Sequence, residues 1–392
     1  MESDETSIGL FLSSYASWQG EVAPAARCGV RPQEAIVLAA QTDDIGTAVR
    51  ALGNRVRCSV PFPGGPLLHV EPAGSAAFGD IDEFVGWLDR RRDSVDDLLT
   101  RFGAIRWRDF GVRDSRAFEL LVGMYPALEQ GYTGGSTARS RIADTTKVFE
   151  ATKAAPEVLL GLHQEMAYLP TYPSKIFFYC RAAAQTGGET LLGDMRRYTA
   201  MLPEPFVRHV EQSGIRYLRN FRSLHRPIPR DASERIEFIH MAWQEAFSTT
   251  DPAVVERECA ALGLACSWED DGSVTTYYTA PGIVTHPRDG GRVSFNVVQS
   301  QYAFLDLLGE QWWRSCCAQY RNGGPPPPYY VEYGDGTPID LDDSRVALEL
   351  LRQITIYPPW QHGDVLMVDN VYTAHGRNSY TGERDVQVAL IS

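Results

Sequence analysis

The 392-residue sequence predicts a mainly β protein with inserted helices, an α+β or all-β barrel-like sandwich and not an alternating βαβ fold. Three observations carry that expectation. Strand-like runs stand on both sides of the middle of the chain, LLGLHQEMAY and KIFFYCRAAA on one side, GDVLMVDN and ERDVQVALIS on the other. Helical patterns fall between them. No GxGxxG, Walker loop or GxSxG suggests a nucleotide or hydrolase fold instead.

A composition of 44% hydrophobic and 22% charged residues is that of a globular chain with length for one large domain or two modest ones. The formal charge of −13, from 37 basic and 50 acidic residues, argues against nucleic acid or an anionic membrane as partner. No window approaches the roughly 18 consecutive apolar residues of a membrane span, and MESDETSIGL begins acidic, unlike a signal sequence, so a cytoplasmic protein is expected. Cys28, Cys58, Cys180, Cys259, Cys266, Cys316 and Cys317 are scattered and form no CxxC, as reduced, mostly buried thiols would be.

Taken in order, residues 1–90 read as an N-terminal α/β elaboration of unknown role, with short apolar runs (EAIVLAA, PLLHVEP) between Gly and Pro turns. Residues 91–392 read as the main domain. Helical spacing runs through DIDEFVGWLDRRRDSVDDLLTRFG, and GAIRWRDFGV follows as a strand. The polar loop 133–147, TGGSTARSRIADTTK, is a candidate lid. LLGLHQEMAY and KIFFYCRAAA are strands, and the turn QTGG leads into ETLLGDM to make a hairpin. Helices are expected at 194–213 and at DPAVVERECAALG, where Asp251 and Pro252 occupy cap and first-turn positions. SVTTYYTAPGIVTHP and RVSFNVVQ alternate as strands, GGPPPPYY is extended, and DDSRVALELLRQI is a last helix before the two closing strands.

Within LHQEMAY, His163 and Glu165 stand two residues apart, a spacing that points both side chains the same way along a strand. Far downstream, His375 follows a buried-looking strand and a turn-forming Asp369-Asn370 pair. Two imidazoles and a carboxylate are the ligand set of a non-haem iron(II) facial triad, whose open positions serve a chelating cosubstrate and O₂. HExxH is absent, so a zincin is not supported. Arg384, nine residues after His375, shares a strand face with Val386, Val388 and Leu390. A guanidinium on an apolar face needs an anion, either a protein carboxylate or the distal carboxylate of a 2-oxo acid. Thr190, past the GG turn on the strand returning beside that of His163, offers a hydroxyl to the same carboxylate.

On HQEMAYLPTYPSKIFFYC, GGETLLGD, FSTTDPAVVERECAALG, APGIVTHP with SFN, and GDVLMVDNVYTAHGRNSYTGERDVQVAL, the chain resembles the Fe(II)/2-oxoglutarate-dependent oxygenases of the taurine dioxygenase type, most like the syringomycin-biosynthesis branch. The resemblance runs from about residue 95 to the end. It implies a double-stranded β-helix (jelly-roll, cupin-like) core, iron held by His163, Glu165 and His375, and 2-oxoglutarate held by Thr190 and Arg384, with Arg377 the alternative arginine. It implies O₂ as co-reactant and a small amino-acid-like substrate, free or presented by a carrier protein, hydroxylated in natural-product biosynthesis. Many relatives carry Asp where Glu165 stands. Desaturation, cyclisation or halogenation on the same scaffold, a non-catalytic binding protein and a zinc hydrolase are the rival readings. Loop 133–147, Tyr168, Arg219, Arg377 and Tyr329-Tyr330 are candidate substrate gates.

Overall fold

Eighteen strands and intervening helices make up the computed structural model, which describes residues 45–129, 131, 139–152, 154–225 and 240–392. In chain order the strands are β1 (Val56–Ser59), β2 (Leu68–Pro72), β3 (Ala104–Trp107), β4 (Phe149–Glu150), β5 (Leu160–His163), β6 (Lys175–Ala182), β7 (Thr186–Gly187), β8 (Thr190–Asp194) and β9 (Ile215–Phe221). They continue with β10 (Ala265–Trp268), β11 (Val274–Ala280), β12 (Ile283–Thr285), β13 (Arg292–Ser294), β14 (Tyr329–Tyr333), β15 (Val365–Asp369), β16 (Thr373–Arg377), β17 (Tyr380–Thr381) and β18 (Asp385–Ile391).

The largest sheet has the order β1-β2-β3-β15-β6-β18-β4, antiparallel throughout except between β2 and β3. Its central strands are near-continuous apolar runs because both faces are covered. Ile176, Phe178, Cys180, Leu366, Val368, Val386, Val388 and Leu390 share one core with Leu192 of the small sheet β5-β16-β8. The alternate residues Phe177, Tyr179, Val365, Met367 and Ala389 pack instead with Phe84, Trp87, Leu98 and Phe118 of the helices Ile81–Asp89, Arg92–Phe102 and Ser115–Val122. Each such buried large side chain contributes about 1.5–3 kcal/mol relative to exposure. A third sheet, β10-β11-β9-β14, turns Tyr217, Val331 and Tyr333 toward a core shared with Leu162, Ala374 and Phe295.

Several expected elements appear with different partners or limits. DIDEFVGWLDRRRDSVDDLLTRFG forms two helices, the first capped by Asp80, whose side chain accepts from the Glu83 amide. The strand expected over LLGLHQEMAY ends at His163. β6 and β8 do not pair as a hairpin: β6 lies between β15 and β18, while β8 pairs with β16 in the opposing sheet. The Gly187-Gly188 turn therefore carries the chain between layers, with φ of 66° and 74° that only glycine adopts freely. β8 is also separated from β5 by β16, so Thr190 does not lie on the strand adjacent to that of His163. The sequence reading assigned nothing to the helices Ser300–Leu308 and Glu310–Arg321.

β1 and β2, which precede residue 90, extend the large sheet from its β3 edge. EAIVLAA, residues 133–138 of the expected lid and Cys28 lie outside the described residues, and the other six cysteines are free thiols. No described helix is long and apolar enough to cross a membrane.

Candidate metal centre

His163, Glu165 and His375 come together between the two facing sheets. Each offers one ligand atom, and these atoms lie within 4.8 Å of one another. Among the described residues no other group of His, Cys, Asp or Glu side chains is so placed. His375 sits in the middle of β16, opposite His163 of β5 on one side and Leu192 of β8 on the other. The two imidazole rings are 4.5 Å apart, and Nε2 of His375 is 3.5 Å from Oε2 of Glu165.

Strand alternation is not what aims Glu165 at the histidines. The chain leaves β5 after His163 and enters a turn in which Met166 has φ of 58°, a left-handed conformation costly for a side-chain-bearing residue. Tertiary bonds hold that turn. Fully buried Asn370 accepts from the Glu165 amide at 2.7 Å and donates to the carbonyls of Glu165 and Pro173, each at 2.9 Å. Nε2 of Gln164 donates to the Val371 carbonyl at 2.7 Å. Asp369, beside Asn370, accepts from the amides of Val371 and Tyr372 at 2.9 Å and faces Nε2 of His286 at the same distance. Of the Asp-Asn pair that the sequence marked as a turn, Asn370 thus clamps the Glu165 turn while Asp369 braces its own turn and His286.

The electrostatics favour a neutral imidazole at His163 and an ionised carboxylate at Glu165. Nδ1 of His163 donates to the Gly161 carbonyl at 2.9 Å, which leaves Nε2 with its lone pair free. Burial, with His375 alongside, lowers the His163 pKa to about 4. For Glu165 burial opposes ionisation, but the hydrogen bond from His375 and the charge of His163 prevail and bring it to about 2. Glu165 is only 8% exposed and His375 5%, and Nδ1 of His375 is buried without a hydrogen-bond partner. Imidazole nitrogens with one carboxylate oxygen form a donor set that fits a divalent transition metal such as iron(II).

Thr190 opens β8 and is buried, and its Oγ1 accepts from Nε1 of Trp360 at 3.2 Å. Arg384 stands just before β18, where the register with β6 shifts, so alternation along the strand does not by itself set its direction. Its Nε donates to the Gly188 carbonyl at 2.8 Å, and a Cβ at Gly188 would stand 3.0 Å from its Cδ. Burial, with Arg377 nearby, lowers the Arg384 pKa to about 10. Among the described residues no carboxylate lies within ion-pair distance of it. Arg377 is differently employed. Its NH1 and NH2 donate to the carbonyls of Ala154, Ala155 and Val158 at 2.7, 2.5 and 2.6 Å, which ties down the segment leading into β5.

Of the expected gates, Arg219 donates to the Tyr329 hydroxyl at 3.0 Å, and Tyr330 packs against Trp313 and Tyr320. Tyr168 packs against the two apolar cores that flank the site. The described end of loop 133–147 is pinned where Glu119 accepts from the amides of Thr146 and Lys147. Arg139, also on that loop, places its charge close enough to act on both His163 and Glu165. Asn370 as a clamp, Trp360 and Arg139 escaped the sequence reading; a buried Asn after a Val-rich strand and a Trp after two prolines were the available signals.

A family model described as taurine catabolism dioxygenase TauD, TfdA family matches residues 69–390. Dapdiamide synthesis protein DdaC of Enterobacter agglomerans is 31% identical over 330 residues, covering 81% of this chain and 89% of that protein. The clavaminate synthase-like protein At3g21360 of Arabidopsis thaliana is 29% identical over 312 residues, covering 78% and 87%. The solved structure of a taurine dioxygenase from Burkholderia xenovorans aligns with a TM-score of 0.45 at 15% identity, over 86% of this chain and 89% of that one.

Proposed function

The chain belongs to the TauD, TfdA family and is a 2-oxoglutarate-dependent non-haem iron dioxygenase that uses Fe(II), 2-oxoglutarate and O₂, and from that premise we propose that it hydroxylates an unactivated C–H bond of an amino acid or amino-acid derivative in natural-product biosynthesis. The reaction converts substrate, 2-oxoglutarate and O₂ into hydroxylated product, succinate and CO₂. The observation that carries the site assignment is the convergence of His163, Glu165 and His375 on one point. The likeness to a dapdiamide synthesis protein supports the biosynthetic setting, and the syringomycin-type branch is the part of the family in which we place the chain. A double-stranded β-helix, with the large and small sheets as its walls, is the core we assign.

In this reading His163, Glu165 and His375 hold the iron, which when bound supplies the redox chemistry that couples decarboxylation of 2-oxoglutarate to oxidation of the substrate. His163 binds through Nε2 because its Nδ1 proton is committed to Gly161. Thr190 and Arg384 receive the distal carboxylate of 2-oxoglutarate, and Arg384 is the choice over Arg377 because the guanidinium of Arg377 is occupied by three carbonyls. The apolar walls contributed by Phe178, Leu192 and Val388 exclude water from the reacting atoms. Glu165 separates hydroxylation from halogenation, since a carboxylate ligand occupies the position that chloride would need.

The test has two stages. Purified protein given Fe(II) and 2-oxoglutarate without oxygen should develop the weak visible charge-transfer band of an iron-bound 2-oxo acid, and His163→Ala or His375→Ala should abolish it. A band that survives either change removes that residue from the ligand set. With oxygen, chloride and amino-acid substrates, the product should be heavier by one oxygen atom, with succinate formed in step; a chlorinated product overturns the assignment.

A further inference from the structure

A threonine hydroxyl donates one hydrogen bond and accepts up to two, so its neighbours decide where its proton points. An indole N–H can only donate. Thr190 Oγ1 therefore accepts from Trp360, and its own proton is directed elsewhere. Among the described residues the Thr190 hydroxyl has no acceptor for that proton, although the side chain is only 3% exposed.

Trp360 is held rigidly. It ends the run Tyr357-Pro358-Pro359-Trp360, in which two prolines fix φ and keep the backbone extended. At the start of this arm, Ile356 and Leu192 exchange backbone hydrogen bonds of 2.9 and 3.1 Å, which lays the arm alongside β8. At its far end the Pro359 carbonyl accepts from Arg106 NH1 at 3.0 Å and Arg108 NH2 at 3.3 Å. Arg108 makes a two-pronged bond to Asp364 at 2.7 and 2.6 Å, and Asp364, whose side chain is fully buried, accepts from the Gln361 amide at 2.8 Å. Arg106 in turn donates to Nδ1 of His69 at 3.0 Å. Thr190, Trp360, Pro358, Leu366 and Arg106 line one small cleft.

We propose that Trp360 is a positioning residue that sets the donor polarity of Thr190. By filling an acceptor site on Oγ1 it leaves the hydroxyl proton to the distal carboxylate of 2-oxoglutarate, a group that can only accept. A hydroxyl that accepts from an indole is also polarised into a stronger donor. This rests on the reading of Thr190 and Arg384 as the holders of that carboxylate. The clamp formed by His69 of β2, Arg106 of β3, Arg108 just after β3 and Asp364 just before β15 then serves the cosubstrate site, across the large sheet from the β18 end that carries Arg384.

The test is calorimetric titration of the Mn(II)-loaded enzyme with 2-oxoglutarate, in the absence of oxygen, for wild type, W360F, T190V and the double variant. W360F should weaken binding about fivefold, the equivalent of one net hydrogen bond, and T190V by at least as much. In the T190V background W360F should add nothing. General damage to the site would cost the same factor in both backgrounds, so equal losses overturn the proposal. A loss in T190V with none in W360F removes Trp360 alone; wild-type affinity in T190V overturns the reading of Thr190 itself. T190S, which keeps the hydroxyl, should restore both the affinity and its dependence on Trp360.

Discussion

Replacing Asn370 by alanine removes the amide that joins the turn carrying Glu165 to the end of β15. Three hydrogen bonds of 2.7, 2.9 and 2.9 Å are lost, and the Glu165 amide with two carbonyls is left buried. At about 1 kcal/mol for each net bond, and more for each buried group left unsatisfied, Asn370→Ala should lower stability by about 3–5 kcal/mol. Because the turn contains a left-handed Met166, it should relax once released, and the Glu165 carboxylate should drift from the two imidazoles. Loss of a residue that orients a ligand lowers metal affinity by about 10–100-fold. Asn370→Asp is the sharper variant: it retains an oxygen for the Glu165 amide but turns a second oxygen toward the Glu165 and Pro173 carbonyls, so it should be no better than alanine. Denaturant unfolding of the apoprotein measures the first effect, and anaerobic titration with Fe(II) or Mn(II) the second. An Asn370→Ala protein within about 0.5 kcal/mol of wild type, binding metal as tightly, would refute the assignment of Asn370 as the clamp.

The remaining expectations separate the two arginines and the turn beside them. Arg384→Ala should weaken 2-oxoglutarate binding by about 2–5 kcal/mol, because the anion loses its charged partner in a buried site, with metal affinity unchanged in calorimetry. Arg377→Ala should instead destabilise the protein by about 2–4 kcal/mol and speed proteolysis near residues 154–158, whose carbonyls it leaves unsatisfied. A cosubstrate defect found only in Arg377→Ala would reverse the two roles. Gly188→Ala places a Cβ at a φ of 74°, which costs about 1–2 kcal/mol, and pushes it against Arg384 Cδ at 3.0 Å. Its 2-oxoglutarate affinity should fall while metal affinity holds; wild-type affinity for 2-oxoglutarate would show that Arg384 does not depend on this turn.

The sequence by itself determined the buried strands and the family. KIFFYC, VLMVD and VQVALI are apolar at nearly every position, and such runs belong to strands covered on both faces, as β6, β15 and β18 are. The order of motifs around His163, Glu165 and His375 identified the oxygenase family because each group's chemistry is a local property of its residue type. What the tertiary structure decided is how those groups are aimed. Periodicity extended the strand through Glu165, whereas the chain turns after His163, and the bonds that impose the turn join residues 205 positions apart. The Gly-Gly turn read as a hairpin because local signals mark a reversal without saying which sheet receives the returning strand. Strand alternation favoured Arg384 over Arg377, but that Arg377 is bound by three carbonyls while Arg384 packs over a glycine depends on the assembled fold. Alternation along a strand reports which face is apolar. The partner that a polar side chain meets there depends on the register of strands distant in sequence, and only the assembled sheets set that register.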